Sequence, residues 1–128
     1  MGAAMEWGDL KQLDTLIQQT KALGADVEEI GVSGEGRASY AVSVGDKQAT
    51  RTVVTVAGLH AAEVIAPLTA ISILQTLTEN PLPPVRFCIV PVADTDFVSR
   101  NANDLPKNVT LQTLLNLNHQ RDLEGHFT

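Results

Sequence analysis

The chain has 128 residues, enough for one domain with a buried core, and its 44% apolar and 19% charged content excludes a wholly disordered polymer. A formal net charge of −6 without any basic cluster argues against nucleic acid and anionic membrane as partners. Cys88 is the sole cysteine, which rules out an intrachain disulfide, and its apolar setting reads as a buried, inert thiol. The N-terminus has no apolar signal core and no run is long enough to span a bilayer, so a reducing cytoplasm is the expected compartment.

In chain order, Trp7 to Leu23 places Leu10, Leu13, Ile17 and Leu23 near one helical face, and Gly24 is a natural stop. Val27 to Val32 reads as a strand, Ser33 to Gly36 as a turn, and Ala38 to Val44 as a second strand, with Gly45-Asp46 starting another turn. Thr52 to Ala57 is nearly continuous in apolar character, which predicts a central strand buried on both faces. Ala61 to Leu77 is the next helix. Pro67 inside it cannot donate to the carbonyl of Glu63, so either the helix starts near Pro67 or its first turns are kinked. Pro81, Pro83 and Pro84 break the chain, and Val85 to Val92 is a second buried strand. Beyond Asp94 the pattern weakens: Asn101 to Asn108 is loop-like and Val109 to Leu117 fits a short helix. This order predicts an α/β domain whose mixed, mostly parallel sheet has an antiparallel pair at its start and a βαβ unit at its centre. The Thr52 and Val85 strands should then be parallel neighbours, joined by the helix containing Leu68 to Leu77.

The chemistry concentrates where the apolar run Val53 to Ala57 meets Gly58, His60 and Glu63. An imidazole and a carboxylate at a strand-to-helix switch occupy the position where open α/β folds build their sites. Both are good zinc ligands, and catalytic zinc sites commonly combine two His with one Glu. Their side chains are expected to share a cleft at the carboxyl end of the Thr52 strand. A histidine at a strand end is often plain polar punctuation, and a glutamate in a first helical turn is favoured by the helix dipole. Asp94 and Asp96 read as turn formers, and Arg37 as the partner of a surface carboxylate. Gly34-Glu35-Gly36 lacks the lysine and following helix of a phosphate loop. His119 and His126 read as solvated tail residues, with completion of a His-Glu-His set as the alternative.

Three segments together resemble the zinc carboxypeptidase-like hydrolases, including the branch of succinylglutamate desuccinylase and aspartoacylase. Gly31 to Arg37 is similar to the family's G-x-S-x-E-G-R segment. Ala57 to Glu63, followed by Ala66-Pro67, is similar to its zinc motif and the helix after it, and Pro91 to Asp96 to its P-x-x-N-P-D turn. Asp94, Thr95 and Phe97 replace the Asn, Pro and Gly of that turn. Leu117-Asn118-His119 resembles the L-N-R motif whose Asn and Arg hold a substrate carboxylate, with His119 in place of the guanidinium and Arg100 or Arg121 as compensating cations.

The resemblance implies zinc held by His60 and Glu63, with Asn118, His119 and Arg100 binding substrate. The implied reaction is hydrolysis of an amide in a small peptide or an N-acyl amino acid. No catalytic base is assigned, because the family's third ligand and catalytic glutamate lie beyond the matched stretch. Residues 1–128 are therefore expected to form a single α/β domain that is an N-terminal fragment or a truncated form of a larger hydrolase domain. The alternative is a non-catalytic relative acting through association, and self-association through exposed strand edges is an expectation of either form.

Overall fold

A computed structural model describes residues 10–59, 65–101 and 112 of the chain. Helix α1 spans Leu10–Ala22, strand β1 Asp26–Val32, strand β2 Ala38–Val44, strand β3 Arg51–Val56, helix α2 Ala66–Glu79, strand β4 Val85–Val90 and helix α3 Thr95–Asn101. The expected helix-strand-strand-strand-helix-strand order is present. The expected loop at Asn101 to Asn108 and short helix at Val109 to Leu117 fall on residues outside those described, apart from Asn101, which ends α3 instead, and Gln112, which is helical.

The strands form one mixed sheet in the order β1-β2-β4-β3. β1 and β2 pair antiparallel with a bulge between Glu29 and Gly31, and β2 pairs antiparallel with β4. β3 and β4 run parallel in the register Val53↔Phe87, Val54↔Cys88 and Thr55↔Ile89. Helix α2 joins them, so the expected βαβ unit is present. Among the described strands antiparallel pairings outnumber the parallel one, because β2 closes a hairpin with β1 and then inserts beside β4.

Helices α1 and α2 pack together on one face of the sheet, α1 over β1 and α2 over β2 and β4. The core between the layers is built from Leu13 and Ile17 of α1, Val42 and Val44 of β2, Leu68, Ile71, Leu74 and Leu77 of α2, and Ile89 of β4. Its spacing follows from the two periods: residues three and four apart on the helices, alternate residues on the strands. Leu23 falls beyond the end of α1 and is exposed rather than part of its apolar stripe.

Of the two alternatives for the helix that follows Gly58, a start near Pro67 is the one present: α2 begins at Ala66, with Pro67 in its first turn, where a missing N–H costs nothing. Residues 61–64 lie outside those described. The Thr52 strand is neither central nor buried among the described residues. It has β4 on one side only, and all six of its residues are exposed. The physical reason is lateral: α2 lies over β2 and β4, and no described element lies beyond β3 in the sheet order. Cys88 is half-buried for a related reason, since its side chain shares the sheet face that α1 and α2 leave uncovered.

Candidate active site

The carboxyl ends of β3 and β4 are tied together past their last ladder residues. Ala57 N–H donates to the Val90 carbonyl at 2.9 Å, Ala93 N–H to the Ala57 carbonyl at 2.9 Å, and Asp94 N–H to the Gly58 carbonyl at 3.0 Å. Gly58 takes φ +66°, and a Cβ there would meet Val92 Cα at 3.2 Å, Pro67 Cγ at 3.3 Å and the Pro91 carbonyl oxygen at 3.4 Å. A side chain at this position would have to adopt the left-handed region inside a crowded corner, so the turn that leads to residue 60 needs glycine.

Beside this corner lies a cleft of about 600 Å³ whose lining includes Val32, Ser33, Val56, Leu59, Asp94 and Asp96. It occupies the carboxyl ends of the parallel pair, the position where open α/β sheets bind ligands. Leu59 is on its rim, and the chain enters residue 60 from there. His60, Glu63, Asn118 and His119 lie outside the described residues. Among the described residues no three His, Cys, Asp or Glu side chains gather as a metal cluster.

A polar cluster fixes one wall of the cleft. Asp96 Oδ1 accepts from Ser33 Oγ at 2.6 Å and from Arg37 Nη1 at 2.8 Å, while its Oδ2 accepts from the Glu35 N–H at 3.2 Å. Ser33 Oγ also accepts from the Arg37 N–H at 2.9 Å, which closes the turn on itself. The Ser33 hydroxyl first, with Arg37 and the Glu35 amide adding to it, holds the Asp96 carboxyl below the ordinary carboxylate range. Arg37 bridges Glu35 as well, and Arg100 Nε reaches Glu35 Oε1 at 2.8 Å. The turn after β1 is thereby pinned to α3. Arg37 has the carboxylate partners expected of it, and Arg100 is placed at the outer end of the same network.

Sequence reasoning quotes both halves of this cluster without joining them. No spacing rule links residues 33 and 96; the sheet brings them together by setting the end of β1 near the end of β4. Sequence reasoning also misses α3. Asp94 Oδ1 accepts from the Phe97 N–H at 3.0 Å, the N-cap geometry that starts this helix. A capping aspartate and a turn-forming aspartate give the same sequence signal, and the short α3 has little periodicity to separate them.

Comparison with known proteins places this geometry in a wider context. The chain matches the family model described as zinc carboxypeptidase over residues 11–104. Among solved structures it is similar to bovine thrombin-activatable fibrinolysis inhibitor, determined in complex with tick carboxypeptidase inhibitor. That likeness has a TM-score of 0.66 at 22% identity and covers 73% of this chain and 33% of that one. A metallo-carboxypeptidase from Burkholderia cenocepacia gives a TM-score of 0.61 at 21% identity over 70% of this chain and 27% of that one. A protein assigned as a metallopeptidase from Shewanella amazonensis gives 0.63 at 15% identity over 91% and 51%. At these identities the likeness is one of fold, and the chain spans between about a quarter and a half of each of these structures. The mixed sheet with its βαβ unit, the cleft at the carboxyl ends of β3 and β4, and the match over residues 11–104 assign the chain to the zinc carboxypeptidase family.

Proposed function

We propose that this chain contributes the first metal-binding segment of a zinc-dependent hydrolase that cleaves an amide bond in a small peptide or an N-acyl amino acid. His60 and Glu63 would hold the metal. One conjunction carries the reading: the family match spans residues 60 to 63, and the described backbone brings the chain to the cleft rim at Leu59, one residue before the histidine. The donor set fits, since neutral imidazole and carboxylate are ligands that zinc takes together in hydrolytic sites. When bound, zinc supplies a water of lowered pKa and polarises a carbonyl oxygen.

The remaining roles belong to the chain's own residues. The Gly58 turn and the Asp94-to-Gly58 hydrogen bond orient the segment that leaves β3. The oxygens of Asp96 are taken up by Ser33, Arg37 and the Glu35 amide, so Asp96 braces the cleft wall rather than moving a proton. Arg100, Asn118 and His119 would hold a substrate carboxylate, Arg100 through the guanidinium donors other than the Nε committed to Glu35. A second reading is a relative that acts by association, for which the exposed residues of β3 among the described elements are the supporting observation.

Elemental analysis of the purified 128-residue chain tests the first reading. Equimolar zinc is expected in the parent chain and none in His60→Ala. Zinc content unchanged by that substitution would show that the pair is structural.

A further inference from the structure

The turn that follows β4 is held from two sides. On one side it grips the chain leaving β3: Ala93 N–H donates to the Ala57 carbonyl at 2.9 Å, and Asp94 N–H to the Gly58 carbonyl at 3.0 Å. On the other, Asp96 accepts from the Ser33 hydroxyl at 2.6 Å, Arg37 Nη1 at 2.8 Å and the Glu35 N–H at 3.2 Å. Asp94 and Asp96 are joined through Thr95, which is 2% exposed. A close-packed link of this kind transmits a displacement rather than absorbing it.

The side that Asp96 holds is stiff. The turn between β1 and β2 closes on itself: Ser33 N–H donates to the Arg37 carbonyl at 2.8 Å, Gly36 N–H to the Ser33 carbonyl at 3.0 Å, and Arg37 N–H to Ser33 Oγ at 2.9 Å. Ser33 Oγ therefore donates to Asp96 while it accepts from Arg37, which fixes the direction of its proton. The side toward β3 has less to hold it. Gly58 has no side chain, and its φ of +66° is open to few other residues. Among the described residues, the direction in which the chain leaves Gly58 rests on the two backbone bonds from the turn and on close approach to Val92 and Pro67.

A metal makes a sharp demand on that direction. Ligand distances are tolerated only within about 0.2 Å, so backbone freedom at Gly58, two residues before His60, is felt as lost affinity. The sheet carries its own control for this effect. Asp26 forms a comparable clamp, with Arg86 Nη2 at 2.8 Å and Lys47 Nζ at 3.4 Å. It ties the start of β1 to the start of β4 and to the turn after β2, at the end of the sheet away from Gly58. Both clamps hold separate parts of the fold together, but only the Asp96 clamp is attached to the turn that supports Gly58.

We propose that Asp96 is a positioning residue for the metal-binding segment: its hold on the Ser33 turn fixes the Asp94-to-Gly58 hydrogen bond, and through it the backbone that carries His60 and Glu63. The inference rests on the metal reading given above. Zinc affinity of the folded 128-residue chain, measured at neutral pH by competition with a fluorescent chelator, should fall about tenfold in Asp96→Asn, as for groups that support a ligand from behind. Asp26→Asn should lower the melting temperature but leave zinc affinity within about twofold, as expected of a site that shares no partner with the metal segment. Amide hydrogen exchange reports the intermediate link. Asp94 N–H should exchange faster in Asp96→Asn, relative to the strand amide of Ile89, and not in Asp26→Asn. Ser33→Ala removes one donor to Asp96 and should move both readouts the same way by less, which keeps the test open if Asp96→Asn does not fold. Zinc affinity unchanged in Asp96→Asn, an equal loss in Asp26→Asn, or unchanged Asp94 exchange overturns the proposal, while zinc binding that still depends on His60 leaves the metal reading standing. A parent chain that binds no zinc overturns both.

Discussion

Asp96 accepts from Ser33, Arg37 and the Glu35 amide, and these donors make its ionised form cheaper in the folded chain than in the unfolded one. The consequence for stability has a definite sign. A carboxylate whose folded pKa is depressed contributes fully above its unfolded value, and the contribution is lost as pH falls through the depressed value. Asp26 works in the same direction through Arg86, with Lys47 beside it. Asp14 opposes them, since burial raises its pKa. Replacing Asp96 with Asn should lower the melting temperature at neutral pH and flatten its fall below about pH 4. Thermal unfolding measured at a series of pH values checks this, and an acid limb identical to the parent's would mean that the cluster does not couple to folding. Thr95 is the contrasting residue. It is 2% exposed, and its hydroxyl has no hydrogen-bond partner among the described residues. The family's turn has proline there, at the first helical position that proline favours. Thr95→Val removes the unpaired hydroxyl at constant shape, with an expected gain of about 1 kcal/mol in chemical denaturation.

At the scale of elements, α2 does the most to hold the layers together. Ile71 and Leu74 are both 0% exposed, and they bring α2 onto β2 and β4, whereas Ile73 on the opposite side is 43% exposed. Ile71→Ala should therefore cost ~2–5 kcal/mol by urea unfolding, the range for deleting a fully buried aliphatic chain, and Ile73→Ala less than about 1. Equal losses would mean that α2 is docked in a different rotation. β3 shows how an element's composition and its setting can part company. A run of β-branched residues is the signature of a strand covered on both sides, yet the described fold leaves β3 open at its edge and covers α2's side only as far as β4.

For the whole molecule, the described sheet provides one wall of a cleft and its supporting clamp, while hydrolysis needs more. A zinc hydrolase site takes three protein ligands, an open position for water and a base to receive its proton. Only His60 and Glu63 have a motif behind them as ligands, and Glu124, flanked by Gly125, has no setting that makes it a base. The purified 128-residue chain should thus hydrolyse peptides and N-acyl amino acids slowly or not at all, even when it retains zinc. Steady-state assays with and without a chelator decide the matter. Robust turnover, lost on Glu63→Gln, would mean that His119 or His126 completes the site.

The sequence by itself determined the family and the elements as far as β4, though not α3. Two apolar runs with an amphipathic helix between them dictate a parallel pair, since a buried strand and a helix stripe can satisfy each other in few ways. The motif segments of residues 31–37, 57–67 and 91–96 name the zinc carboxypeptidase family that the match over residues 11–104 establishes. Local periodicity carries no information about lateral order, however. Only the tertiary structure put β2 between β1 and β4, placed β3 at the edge of the described sheet and brought Ser33 to Asp96, 63 residues away. Hydrophobic burial depends on apolar area and not on direction, so a run of valines specifies that it will be covered. Which neighbour covers it follows from how the helices pack across the sheet.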